Sequence, residues 1–355
     1  MNPDASRRPR ARDLGVVVGP TPTGPLNALT DVPGVRVGHA TVRTRPDVHT
    51  GVTAVVPDGV RPGAPVPAGV FVGNGYGKLI GSTQLAELGE LETPVLLTST
   101  LSAFRVADAL VGWVLEQPGC DSVLSLNPVV GECNDGYLSD IRSRPVREEH
   151  VRAALGGASA GPVAEGCVGA GTGTVALGFK AGIGTSSRTP EAADRRFTVG
   201  ALVQANFGGT LRVLGRTLDG PGPASETGSC MIVVATDAPL DARQLTRVAR
   251  RAVFALARTG AAYSHGSGDY AVAFTTTRPG TAPPLADADL SPLFEAVLDA
   301  VEEAVLNSLL AATTTTGHAG RTVPALPADR LLAAWASDHK VVPDGSWLAR
   351  VPERR

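Results

Sequence analysis

The step Gly228-Ser229 is where this 355-residue chain is best equipped for covalent chemistry. Upstream, Leu218 to Glu226 is dominated by turn formers and small residues around Gly220, Pro221, Gly222 and Pro223, a composition for a flexible loop. Downstream, Met231-Ile232-Val233-Val234-Ala235 is apolar without alternation and predicts a strand buried on both faces. A serine preceded by glycine at the mouth of a core strand is what a self-cleaving N-terminal nucleophile requires. Gly228 can adopt backbone angles closed to other residues, which would turn its carbonyl toward the Ser229 hydroxyl. Cleavage there would give Ser229 a free α-amine of pKa near ~8, usable as its own general base. The same residues also suit an ordinary Gly-Ser turn, and the step alone leaves both readings open.

Three further positions could serve such a serine. Ser267 and Asp269, in Gly266-Ser267-Gly268-Asp269 ahead of the apolar run from Tyr270 to Phe274, lie two apart in a strand approach and so point the same way. They could hold a nucleophile or relay a proton, or form a simple turn. Asn206, where Val203-Gln204-Ala205 gives way to Gly208-Gly209, is a neutral donor of the kind that stabilises oxyanions, and also a common turn residue. Glu132, in Gly131-Glu132-Cys133-Asn134-Asp135-Gly136, could clamp an ammonium group, against the plain alternative of a solvated glutamate.

The elements that must position these residues are short apolar strands at 52–56, 95–98, 198–203, 230–236 and 270–275, many apolar on both faces. Covered sheets with helices outside satisfy that pattern and predict a layered α/β domain. One helix is expected from about Asp241 to Arg258, with the stripe Leu245, Val248, Ala252 and Leu256, Gly260 past its end, and Arg247, Arg250 and Arg251 on its solvated sides. A second is expected from an N-cap at Ser291, with Pro292 next, through Leu293, Val297, Val301, Val305 and Leu309 to Gly317. Residues 1–25 read as a polar lead-in whose start, Met1 to Asp13, is frayed, and 26–355 as a single catalytic domain.

Composition narrows the function. A net charge of −2 gives no electrostatic case for nucleic acid or a membrane surface, and no run of 18 apolar residues is present. The pair Arg7-Arg8 lacks the apolar segment of an export signal, so the expected location is cytoplasmic. Cys120, Cys133, Cys167 and Cys230 form no Cys-x-x-Cys pair and are expected as free thiols. Neither Gly169-Ala-Gly171-Thr-Gly173 nor Gly73-Asn-Gly75-Tyr-Gly77-Lys78 has the spacing of a phosphate-binding loop. His265 sits in a glycine-rich loop and the six histidines form no ligand cluster, so neither a metal nor a cofactor is expected.

Several long segments together resemble the P1 family of self-processing aminopeptidases, which includes the β-peptidyl aminopeptidases and the L-aminopeptidase/D-esterase. They are Leu29–Thr41 (LTDVPGVRVGHAT), Thr50–Thr53, the glycine-rich block from Gly169 to Arg188, Gly228-Ser229 with Ile232–Pro239, and Gly266–Asp269 with Ala273-Phe274. The similarity runs from about residue 10 to 335. It implies a four-layer α-β-β-α sandwich like the N-terminal nucleophile hydrolases, cut between Gly228 and Ser229 into chains 1–228 and 229–355 that stay in one fold. By the same resemblance Ser229 is the nucleophile, supported by Ser267 and Asp269, Asn206 is an oxyanion donor, Glu132 receives the substrate amine, and Asn134 is a second binding candidate. A homo-oligomer, suspected to be a tetramer, is also implied. Asp269 stands where some members have Glu, one methylene longer, and Cys230 and Met231 stand where aliphatic residues are expected. The expected activity is release of N-terminal residues from short peptides, amides or esters bearing a free amine. The alternatives are an acyltransferase of the ornithine acetyltransferase type, which Ser229 disfavours because that group cleaves before threonine, and a non-cleaving binding protein of the same fold.

Overall fold

The run from Thr227 to Thr236 is the centre of the architecture, as its apolar composition predicts. A computed structural model describes residues 8–218, 220–221 and 227–336. The expected flexible loop before Ser229 falls largely outside the described residues. In chain order the main strands are β1 (Val35–Val42), β2 (Thr50–Pro57), β3 (Val66–Gly75), β4 (Leu79–Ile80), β5 (Glu90–Leu91), β6 (Val95–Ser99), β7 (Val129–Cys133), β8 (Ile183–Arg188), β9 (Val199–Asn206), β10 (Thr227–Thr236) and β11 (Gly266–Thr275). The α-helices between and after them are α1 (Ser82–Glu87), α2 (Ala103–Leu115), α3 (Glu148–Gly156), α4 (Ala242–Arg258), α5 (Ser291–Leu310) and α6 (Ala328–Ala336).

Two mixed sheets result. One has the order β1-β2-β6-β7-β4, the other β8-β9-β10-β11-β3-β5. Side-chain alternation sorts the central strand between two cores. Met231, Val233 and Ala235 pack between the sheets with Leu97, Val129, Tyr270 and Val272. Cys230, Ile232 and Val234 face outward onto α4 and α5 through Leu245, Val248, Val297 and Val301. Burying each of these valines or isoleucines contributes roughly 1.5–3 kcal/mol. On the far side, α2 and α3 cover the first sheet through Val106, Leu110, Val151 and Leu155. The layers are therefore α-β-β-α, as the resemblance implied.

β10 and β11 are parallel, and a parallel pair needs a crossover; α4 supplies it. Asp241 caps α4, its carboxylate accepting the Gln244 N–H at 2.7 Å while the Gln244 side chain accepts the Asp241 N–H at 3.1 Å. Of the expected solvated arginines, Arg251 instead lies 3.6 Å from the Phe294 ring centroid and Arg247 pairs with Asp287 at 3.2 Å. Helix α5 corrects the sequence reading twice. Ser291 is its first residue rather than its cap, and it stops at Leu310, not Gly317. Past Leu310 come Ala311-Ala312 and then four threonines, poor helix formers, two of which, Thr315–Thr316, pair with Thr322–Val323 as a short ribbon.

The arginine-rich start is docked from Arg8 onward, not frayed; the first seven residues lie outside the described ones. Arg8 donates to the Leu310 and Leu326 carbonyls, and Arg10 to the Thr185 carbonyl. Arg12 and the fully buried Arg188 converge on Glu303 of α5, at 3.0 and 2.7 Å. Two cations with one carboxylate satisfy a charge that would otherwise be costly to bury. Among the described residues no helix is long and apolar enough to cross a membrane.

Candidate functional site

Ser229 heads the buried part of β10, and three neighbouring strands set its surroundings. Antiparallel pairing puts Asn206, the last residue of β9, directly opposite Ser229. The Asn206 amide has one possible orientation, because its Oδ1 accepts the Val175 N–H at 3.1 Å. Its Nδ2 is thereby aimed into the site, 3.4 Å from Ser229 Oγ and 3.1 Å from the Asn134 carbonyl. Asn134 lines the same cavity, but its side chain is engaged in its own loop, accepting the Gly136 N–H at 2.9 Å. The Cys133 thiol lies against the Ser229 hydroxyl, and burial pushes that thiol well above its usual range, so it is a neutral wall.

Gly228 does not use a left-handed backbone. A Cβ there would lie 2.7 Å from Phe207 Cα and 2.8 Å from the Asn206 carbonyl oxygen, so lack of space demands the glycine. The sequence reading expected unusual backbone angles at Gly228; the structure shows close packing there instead.

Glu132, in the middle of the first sheet, is only 2% exposed and reaches the same cavity. Its Oε1 accepts the Lys78 backbone N–H at 2.9 Å and has Lys78 Nζ at 3.8 Å, and its Oε2 accepts the Thr100 hydroxyl. The segment from Gly73 to Lys78 thus curls round a carboxylate. It can bring no side chain closer at Gly268, where a Cβ would lie 2.5 Å from the Gly77 nitrogen. A carboxylate held this way, with a weakly placed ammonium beside it, is suited to a cationic ligand.

Ser267 and Asp269 flank Ser229 along the ladder: Gly228 pairs with Ser267, Ser229 with Gly268 and Cys230 with Asp269. By strand alternation they project on the Cys230 side, away from the Ser229 hydroxyl. Their hydrogen bond is 2.9 Å, Ser267 Oγ donating to Asp269 Oδ1. Burial raises the Asp269 carboxyl to about 6, opposed by that hydroxyl and by the Cys230 N–H, and Oδ2 is buried with no hydrogen-bond partner. The Ser229 backbone nitrogen, in the plane of the sheet, is the Ser229 atom that this side can address.

The cavity has a volume of about 880 Å³, within the range of small-molecule sites. Tyr76, Lys78, Glu132, Asn206, Ser229 and Arg321 are among its lining. Sequence reasoning missed Lys78, Thr100, Tyr137 and Arg321 as site residues; Lys78 closed a glycine motif set aside as a failed phosphate loop. Asp135, which does not line the cavity, is fully buried beside Thr50 and Lys180, and burial raises its carboxyl to about 7. His265 is exposed, edge-on to Tyr76 at 6.0 Å. The Gly169–Gly171 turn is structural, its Ala170 carbonyl accepting Gln204 Nε2 at 2.9 Å. Among the described residues no group of three or more His, Cys, Asp or Glu could hold a metal ion.

Two facing sheets sheathed in helices, with a hydroxyl, an amide donor and a buried carboxylate around one cavity, define an enzyme of the N-terminal nucleophile hydrolase fold. The chain belongs to peptidase family S58, whose model matches residues 27–323. It is 40% identical to the beta-peptidyl aminopeptidase BapA of Sphingosinicella microcystinivorans over 92% of this chain and 91% of that protein. Two solved structures are similar at a TM-score of 0.86, each over 94% of this chain and all of the other. One is a Burkholderia sp. beta-aminopeptidase at 40% identity. The other, at 38%, is the L-aminopeptidase D-Ala-esterase/amidase of Ochrobactrum anthropi, described as a prototype for the serine aminopeptidases and a new variant among the Ntn hydrolase fold. These likenesses support the peptidase reading of the sequence and not the acyltransferase alternative.

Proposed function

We propose that the protein is a self-processing aminopeptidase that releases N-terminal residues from short peptides, amides or esters, with Ser229 as nucleophile. In maturation the Ser229 hydroxyl attacks the Gly228 carbonyl carbon, the C–N bond breaks as the Ser229 nitrogen gains a proton, and water hydrolyses the resulting ester. The new α-amine then accepts the hydroxyl proton when Ser229 attacks a substrate, and passes it to the leaving amine or alcohol. Water releases the acyl group. Asn206 Nδ2 stabilises the oxyanion, Glu132 holds the substrate ammonium, and Ser267 with Asp269 orients the Ser229 amine. Asn134 contributes through its carbonyl, which aims Asn206. The four unpaired cysteines favour a reducing compartment, the cytoplasm, and a homo-oligomer belongs to the same reading.

The observation that carries this function is the presence of Glu132 and Ser229 on one cavity, with Asn206 directed at the hydroxyl. A buried carboxylate left without its cation is costly, so substrates lacking the ammonium should be rejected. An aminoacyl p-nitroanilide and its N-acetyl form, assayed with wild type and Glu132→Gln, test this. Wild type should cleave only the free amine efficiently, and Glu132→Gln should lose that preference. Equal wild-type turnover of both forms refutes the role of Glu132.

A further inference from the structure

The cavity lining holds three charged side chains among the described residues, and they divide unequally. Lys78 Nζ lies 3.8 Å from Glu132, a loose pairing that leaves the carboxylate open to a substrate ammonium. Arg321, exposed to solvent where it lines the cavity, has no acidic partner among the described residues. Its guanidinium is placed by surrounding structure. The carbon Cζ lies 5.0 Å from the Tyr137 ring centroid and Nη1 donates to the Tyr137 carbonyl at 3.2 Å. The loop carrying it is tied down as well. The Gly317 N–H donates to the Arg321 carbonyl at 2.9 Å, and the His318 N–H to the Leu138 carbonyl at 2.8 Å.

This pins the arginine to the segment that follows Glu132 and Asn134. We propose that Arg321 is a specificity-determining residue that receives the free carboxylate of a short peptide whose ammonium lies on Glu132. The inference rests on the aminopeptidase reading and names its substrate class: zwitterionic di- and tripeptides. Such a peptide spans about 7–11 Å, a length that an 880 Å³ cavity accommodates. A guanidinium presents paired donors matched to a carboxylate, whereas an amide or anilide terminus offers it no charge.

The test compares a dipeptide with its C-terminal amide, using wild type, Arg321→Met and Arg321→Lys, each confirmed to have a free Ser229. Wild type should favour the free acid in kcat/KM by roughly 10-fold, mostly through KM. Arg321→Met should bring the acid-to-amide ratio close to one, and Arg321→Lys should retain part of it. The same ratio in wild type and Arg321→Met overturns the proposal, as does a wild type indifferent to the carboxylate. Failure of wild type to cleave either substrate, or any other aminoacyl amide, would instead refute the aminopeptidase reading on which the proposal stands.

Discussion

Asn206 and Ser229 face each other across an antiparallel ladder, and the amide nitrogen of one lies 3.4 Å from the hydroxyl oxygen of the other. The amide cannot turn round without losing the Val175 N–H that its oxygen accepts. A donor fixed before reaction begins is the condition under which an oxyanion gains most. Asn206→Ala should therefore lower kcat by about 10²–10³ with little change in KM. Steady-state kinetics on mature enzyme would check this, and a variant impaired only in KM would move Asn206 from the transition state to substrate binding.

Asp269 gives the pH dependence its sign. Its carboxyl is held up at about 6, so lowering the pH through that value adds a proton and removes the acceptor proposed to orient the Ser229 amine. Below the limb set by protonation of the α-amine itself, turnover should show a second, steeper fall on the acid side near pH 6. Asp269→Asn should abolish that second fall and lower turnover by on the order of 10²–10⁴, and Ser267→Ala should fall in the same range. A matured Asp269→Asn enzyme with near-normal turnover and melting would reduce this segment to a turn.

Asp135 should control stability rather than chemistry. Its carboxyl moves from an ordinary 3.8 to about 7 because it is buried, with Thr50 and Lys180 opposing the shift and Glu132 adding to it. Between those values the folded state binds a proton that the unfolded state has released. Stability therefore decreases as pH rises through the window, by about 1.4 kcal/mol per unit where the difference is complete. Asp135→Asn should flatten this slope, read from urea midpoints between pH 5 and 8. An unchanged slope would show that the carboxylate is solvated or paired.

Gly228→Ala forces a methyl group onto Phe207 and the Asn206 carbonyl. Both contacts are backbone atoms that cannot rotate aside. Overpacking of this kind should cost about 1–3 kcal/mol and slow maturation. The measurement is a melting curve with a time course of fragment appearance. Normal melting and normal maturation together would mean that the strand end has room to spare.

The layers, the central strands and the family were legible because they are written in local apolar runs and ordered motifs. The run from Met231 to Ala235 announces a strand covered on both sides, and Gly228-Ser229 with Gly266–Asp269 carry the resemblance. Relations across strands were not legible. Ladder register is a long-range property, so the sequence showed Ser267 and Asp269 sharing a face but not that this face lies opposite the Ser229 hydroxyl. Lys78, Thr100 and Arg321 join Glu132 and Ser229 from separate loops, with no spacing to announce them. The start of the chain was misjudged because arginines look solvated in sequence, whereas Glu303 and free carbonyls supply Arg8, Arg10 and Arg12 with buried partners.

The most direct measurement is intact mass of the purified protein under denaturing conditions, together with activity on an aminoacyl p-nitroanilide. The account predicts two fragments, 1–228 and 229–355, with activity appearing as they form, and a single inactive chain for Ser229→Ala. A wild-type protein that remains one chain of 355 residues and is fully active would contradict it.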